Sequence, residues 1–192
     1  MKDLQSAISI SFDNKSRMLI AAILVVAGCA GYYATYAFAA TINCSSDPCY
    51  GTSGNDDITG FTTGERIEAG DGNDNINARG GDDATYGQVG ADYILGGNGD
   101  DITLSGGNGD DRKTLGAGIY GNDGRDTLFG NDAIDTLYGN GSQDYIYGND
   151  DSDAVHAQDS FPDNAIVGGA GIDNCWKDAV DPMPVTCENI NP

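Results

Sequence analysis

Basic side chains are scarce in this sequence. Of 192 residues only nine are Lys or Arg and one is His, against 30 Asp and Glu, which gives a formal net charge of −21 at pH 7. Such an acidic chain repels nucleic acid and anionic membranes and attracts cations. The one histidine, His156, lies in DAVHA, and neither an HExxH nor a GxSxG motif occurs. We therefore predict that the protein is not an enzyme.

Apolar residues are few outside one N-terminal segment. Hydrophobic residues make up only 39% of the chain, and residues 18–40 form an uncharged run preceded by Lys15 and Arg17. The AFA sequence ending at Ala39 resembles a signal-peptidase site. The run is longer than a usual signal core, so a retained transmembrane anchor is the second interpretation. Lipidation at Cys29, in VAGC, is the third. All three interpretations predict a secreted or extracytoplasmic protein.

Cysteine is also rare, and its placement agrees with export. Besides Cys29 there are four cysteines, and an even number in an exported chain indicates disulfides. Their clustering favours the pairs Cys44–Cys49 and Cys175–Cys187. A metal site is the alternative, but no His lies close to either pair in the sequence.

Glycine, in contrast, is abundant. There are 29 glycines without a Gly-X-Y period, which excludes collagen. They follow a nine-residue step that neither a helix nor a strand explains. Residues 121–156 read GNDGRDTLF, GNDAIDTLY, GNGSQDYIY and GNDDSDAVH, with Asp always at position six and an apolar residue at position eight. The same units run from 51 to 104, then shift register, and return at 106–114 and 168–176.

These units resemble the nonapeptide of RTX, or haemolysin-type, calcium-binding repeats, G-G-x-G-x-D-x-U-x. The resemblance covers residues 51–176 and implies an all-β, parallel β-roll that binds several Ca²⁺ ions. Residues 1–39 would then be the signal or anchor, 40–50 an N-terminal cap and 177–192 a disulfide-tied C-terminal cap. The position-six residues that become candidate metal ligands are Asp56, Asp74, Asp83, Asp92, Asp101, Asp111, Asp126, Asp135, Asp144, Asp153 and Asp173. Glu65, Thr85 and Lys113 depart from the pattern and predict weak sites.

Physical chemistry supports the same interpretation. Two units make a coil of 18 residues, so turns 18 residues apart stack on one edge, about 4.8 Å from each other. The predicted neighbours are Asp74 and Asp92, Asp83 and Asp101, Asp126 and Asp144, and Asp135 and Asp153. Stacked carboxylates repel one another, and Ca²⁺, which takes six to eight oxygen ligands, removes the repulsion. We expect folding to require calcium, and stability to be lost with chelator and at acid pH.

Aromatic residues recur at position nine, where Phe129 should stack near Tyr147 and Tyr138 near His156 on opposite sheets. Such a ladder either stiffens the sheets or binds a sugar or protein. The function that we predict is calcium binding with a structural or adhesive role at or beyond the cell surface. The alternatives are an accessory or secretion module of a toxin or polysaccharide-active system, and a carbohydrate-binding surface protein.

Overall fold

The computed structural model describes residues 39–112 and 118–192, which form an all-β parallel solenoid without a helix. No helix within these two ranges is long and apolar enough to cross a membrane. The run at 18–40, with its three interpretations, lies outside the described residues except for its last two positions. Lys113 also lies outside them.

Sixteen strands are present in the described residues. They are β1 (Thr41–Asn43), β2 (Cys49–Tyr50), β3 (Asp57–Thr59), β4 (Arg66–Asp71), β5 (Asn75–Gly80), β6 (Ala84–Val89), β7 (Tyr93–Asn98), β8 (Thr103–Asn108), β9 (Gly118–Asp123), β10 (Thr127–Asp132), β11 (Thr136–Gly141), β12 (Tyr145–Asp150), β13 (Ala154–His156), β14 (Ala165–Ala170), β15 (Asn174–Trp176) and β16 (Asn189–Asn191).

Successive strands alternate between two parallel sheets. Sheet A has the order β1-β3-β5-β7-β9-β11-β13-β15-β16, and sheet B has the order β14-β12-β10-β8-β6-β4-β2. Ile76 is in register with Ile94, and Leu128 with Ile146. Both pairs are 18 residues apart, so the prediction of two nine-residue units per coil is confirmed.

The core is a thin layer between the sheets. In β12 the side chain of Ile146 and the position of Gly148 are buried while their neighbours are not, because successive side chains in a strand point to opposite faces. Position eight therefore supplies the apolar interior and position one adds Ala or Gly. The fully buried large apolar residues are Ile58, Ile67, Ile76, Ile94, Leu104, Ile119, Leu128, Leu137, Ile146, Val155 and Ile166.

One register expectation is wrong. Counting nine from Gly96 places Thr103 at the inward position eight, but Leu104 is buried and Ile102 is 65% exposed. Leu104 pairs with Thr85 on one side and with Leu128 on the other. The turn before β8 takes up one extra residue, because burying Leu is favourable and burying a Thr hydroxyl without a partner is not. Thr85, at a predicted departure, is buried and its hydroxyl lacks a partner within the described residues.

Both predicted disulfides are present at the ends of the solenoid. Cys44 bonds Cys49 with a Cα–Cα distance of 5.5 Å, and Cys175 bonds Cys187 at 6.0 Å. Cys49 lies in register with Ile67 in the interior row, which ties the first coil to the core. The segments before 51 and after 176 contribute β1, β2 and β16, so they extend the two sheets.

Candidate metal centre

The turns between strands stack backbone on backbone. In most turns positions two and four adopt positive φ, as at Asn131 (83°) and Gly90 (141°). Asn and Gly adopt this conformation more readily than other residues. A Cβ placed on Gly90 would lie 1.6 Å from the carbonyl oxygen of Gly72 in the preceding coil. A side chain there would therefore push the coils apart.

The position-six carboxylates turn inward at both edges of the solenoid. Column A, at the turns that lead into sheet A, consists of Asp56, Asp74, Asp92, Asp111, Asp135, Asp153, Asp173 and Glu188. Column B, at the turns that lead into sheet B, consists of Glu65, Asp83, Asp101, Asp126, Asp144, Asp163 and Asp181. The two columns run along opposite edges of the same core.

One oxygen of each carboxylate links neighbouring coils. The backbone N–H of Asp74 donates to Asp92 Oδ1 at 2.8 Å, and that of Asp126 donates to Asp144 Oδ1 at 2.9 Å. The four carboxylate pairs predicted from a spacing of 18 all make this contact. Each turn is thereby hydrogen-bonded to the next through an acidic side chain.

The second oxygen is buried and has no hydrogen-bond partner within the described residues. This holds for the Oδ2 atoms, and for Oε2 of Glu65, along the interior of both columns: Glu65, Asp74, Asp83, Asp92, Asp101, Asp111, Asp126, Asp135, Asp144, Asp153, Asp163 and Asp173. Asp56, at the first coil, differs because Ala40 N–H donates to its Oδ1 and Thr52 N–H to its Oδ2. A buried acceptor without a donor is costly. Each column therefore needs either a bound cation or protons on its own carboxyl groups.

Where an Asp unit of the column interior begins with glycine, the unpartnered oxygen points at that glycine. A Cβ on Gly121 would lie 2.4 Å from Asp126 Oδ2 and 2.6 Å from the Gly139 carbonyl oxygen in the next coil. The equivalent point on Gly148 is 2.3 Å from Asp153 Oδ2 and 2.4 Å from a carbonyl oxygen. Glycine at position one therefore leaves space in which carboxylate and carbonyl oxygens of two coils converge.

Burial raises the pKa of these carboxyl groups far above their ordinary value. The pKa of Asp135 rises to about 9, that of Asp101 and Asp111 to about 8, and that of Asp144 to about 7. Loss of solvation is the largest cause, the backbone N–H donor opposes it, and neighbouring carboxylates add to it. An ionised column is therefore unfavourable unless a cation is bound.

The oxygen set suits calcium. Ca²⁺ binds carboxylate and carbonyl oxygens, whereas Zn²⁺ prefers His and Cys, and Mg²⁺ demands a tighter octahedron. At Gly121 and at Gly148, a carboxylate oxygen of one coil and a carbonyl oxygen of the next come to one place. Among the described residues there is no group of three or more His, Cys, Asp or Glu side chains placed to share a metal ion.

All the Asp residues proposed from the sequence lie in the two columns, while their role as ligands stays a prediction. The sequence interpretation missed Asp163, Asp181 and Glu188. Asp163 precedes its buried residue, Ile166, by three positions, as Asp101 precedes Leu104, and each apolar residue is followed two positions later by Gly-Gly. This longer spacing is a signal by which Asp163 could have been found.

Comparison with known families agrees with this geometry. Residues 59–94, 70–102 and 120–155 match the family model described as the RTX calcium-binding nonapeptide repeat. No curated protein and no solved structure matches the chain. The resemblance drawn from the nonapeptide is therefore confirmed.

Proposed function

Since the chain belongs to the RTX calcium-binding nonapeptide-repeat proteins, we propose that it is exported, folds as calcium binds, and has a structural or adhesive role at the cell surface or outside the cell. The observation that best supports this proposal is the pair of buried acidic columns, whose second oxygens lack partners within the described residues. Bound calcium supplies positive charge and accepts oxygen ligands. We assign the protein no catalytic role.

The ligands would come from the interior of both columns. Asp74 and Asp92, and Asp135 and Asp153, would contribute in column A, with Asp83 and Asp101, and Asp126 and Asp144, in column B. Asp163 extends column B by one position. Asp56 should contribute less because both of its oxygens already accept backbone N–H bonds.

Two features support export. Both disulfides are compatible with an oxidising compartment, and the uncharged run at 18–40 has the composition of a signal or anchor. A chain with this acidic excess and this thin core would remain unfolded where calcium is low and would fold where calcium is abundant. Binding and folding would then be one event.

Calorimetry and circular dichroism on residues 40–192 test the proposal. Titration with CaCl₂ should show saturable binding of several ions and a parallel gain of β-structure, whereas NaCl at equal ionic strength should give neither. MgCl₂ should bind more weakly. Lack of calcium binding at millimolar concentration, or a β-rich spectrum in chelator at pH 8 that calcium leaves unchanged, would contradict the proposal.

A further inference from the structure

The aromatic ladder of sheet A is a continuous stack of rings. Tyr120, Tyr138, His156 and Trp176 stack ring on ring, with centroids 4.8, 4.3 and 4.2 Å apart and planes within 9° of parallel. The predicted stacking of Tyr138 near His156 is therefore present. Because the ring faces cover one another, this ladder is suited to stiffening the sheet and not to stacking on a ligand.

The corresponding column of sheet B is interrupted. Tyr86, Ser105, Phe129 and Tyr147 occupy equivalent positions on β6, β8, β10 and β12. Phe129 stacks on Tyr147 at 5.2 Å, as predicted, but Ser105 stands where the next ring would be. At the missing ring there is an open surface notch of about 410 Å³.

The notch combines one aromatic wall and the half-exposed side chain of Val89 with polar groups. Its lining includes Tyr86, Gln88, Ser105, Asn108, Asn131 and Asp132. The Arg66 guanidinium lies 4.5 Å from the centroid of the Tyr86 ring. Arg66 belongs to β4, on the side of β6 opposite to β8. The Tyr86 face directed toward β8 is therefore the face available to a ligand.

Hydrogen bonds hold part of this lining in place. Asn131 Nδ2 donates to Ser105 Oγ at 2.9 Å, which joins β10 to β8 within the notch. Gln88 Nε2 donates weakly to Glu68 at 3.4 Å. The other polar side chains of the lining, Asn108 and Asp132, carry further oxygens that can accept hydrogen bonds.

We propose that this notch binds a neutral sugar ring. A pyranose has an apolar C–H face that packs on an aromatic ring, and hydroxyls at its edge that pair with amides and carboxylates. A flat apolar ring would pack on Tyr86 but leave the polar rim unpaired, which is unfavourable. The net charge of −21 disfavours anionic ligands such as uronates and nucleotides.

The test uses the full chain in calcium buffer and methyl glycosides of glucose, galactose and mannose as probes. Two-dimensional amide NMR should show saturable shifts for at least one glycoside, confined to residues 86–89, 105–108 and 131–132. Phenol and glucuronate serve as the aromatic and anionic alternatives. Tyr86→Ala should weaken binding at least tenfold.

Two variants separate the notch from the rest of sheet B. Tyr147→Ala removes a ring from the same column outside the notch and should leave sugar affinity unchanged. Ser105→Tyr supplies the missing ring and should abolish binding while the chain still folds with calcium. Circular dichroism in calcium distinguishes this outcome from a failure of metal-dependent folding.

The proposal would be overturned by three results. One is the lack of saturable shifts with any glycoside at tens of millimolar in a chain that folds normally. Another is equal loss of affinity in Tyr86→Ala and Tyr147→Ala. A third is stronger binding of phenol or glucuronate than of the glycosides at the same residues.

Discussion

The apolar row and the acidic columns are two buried arrays with the same period and opposite chemistry. Ile146 and Asp144 stand two residues apart and are both fully buried. The isoleucine gains about 1.5–3 kcal/mol from leaving water, and it needs no partner for this. The aspartate has an unpartnered oxygen and a raised pKa. The apolar row therefore stabilises the coil unconditionally, whereas we expect the acidic columns to stabilise it only when their charge is neutralised.

Neutralisation can come from calcium or from protons, and the two act in different pH ranges. Above the raised pKa values the carboxyl groups are charged in the fold and require a cation. Below them the carboxyl groups hold their own protons. We therefore expect the fold to depend on calcium near neutral pH and much less so in acid.

The largest expected effect is that of pH on the metal-free chain. The native pKa of Asp101, Asp111 and Asp135 is about 8 to 9, against 3.8 when unfolded. Between these values the native state binds more protons than the unfolded state, so the free energy of unfolding falls as pH rises. Stability gained from the protonated columns should be fully present below pH 3.8 and lost progressively as pH rises from there to about 9.

Far-UV circular dichroism and hydrodynamic radius in metal-free buffer, measured from pH 4 to 9, check this expectation. Calcium should restore the folded spectrum at pH 8 and change little at pH 4.5. The sequence alone predicted that acid abolishes stability. For the metal-free chain we now expect the reverse, because a protonated buried carboxyl carries no charge. A metal-free chain that is unfolded in acid and folded at pH 8 would contradict the account.

A pair of neighbouring substitutions separates the two arrays. Leu137→Ala opens a cavity in the apolar row and should lower the free energy of unfolding by about 2–5 kcal/mol, both with calcium and at acid pH without it. Asp135→Asn removes one buried charge while keeping an oxygen to accept the Asp111 N–H. It should weaken calcium binding in its own coils but change metal-free stability at pH 5 little, because the Asp135 carboxyl, whose pKa is about 9, is already protonated there.

Urea unfolding measures the free energy of unfolding of both variants, with calcium at pH 7.5 and without calcium at pH 5. Asp74→Asn repeats the amide substitution in another part of column A and should affect calcium binding there, not near Asp135. If Asp135→Asn were as destabilising as Leu137→Ala under metal-free conditions, the contribution of the acidic columns to stability would not depend on neutralisation of their charge.

The arrays differ in how much of them the sequence reveals. Asp144 and Ile146 could be placed from the nine-residue step because strand alternation and coil length fix both positions. Leu104 and Asp163 could not be placed by counting, since the coil that ends at β8 has one extra residue and the coil that ends at β14 has two, without disturbing the sheets. The unpartnered Oδ2 atoms and the notch at Ser105 depend on which coils become neighbours, and extra residues in the turns change that pairing. The pairing of Asp101 with Asp126, 25 residues apart, has no signal in the period.

The smallest expected effect concerns Glu65, where column B begins with a longer side chain. Its Oε1 accepts the Phe61 N–H at 2.6 Å, its own N–H donates to Asp83 Oδ1, and burial raises its pKa to about 7. Glu65→Asp should draw the carboxylate back to the depth of its column neighbours and strengthen calcium binding in the first coils. A tenfold gain in affinity at one site corresponds to about 1.4 kcal/mol, or a rise in Tm of a few degrees for a chain of this size.

Thermal unfolding with and without calcium measures this gain, which should vanish without calcium. Glu68→Asp is the matched control, because it removes the same methylene from an outward-facing acid on β4 that pairs with Arg66. A partly exposed ion pair contributes at most about 1 kcal/mol, and its loss should not depend on calcium. If Glu65→Asp changed Tm equally in both conditions, the side chain at position six would act through packing alone. The first turn of column B would then belong with the apolar row and not with the conditional array.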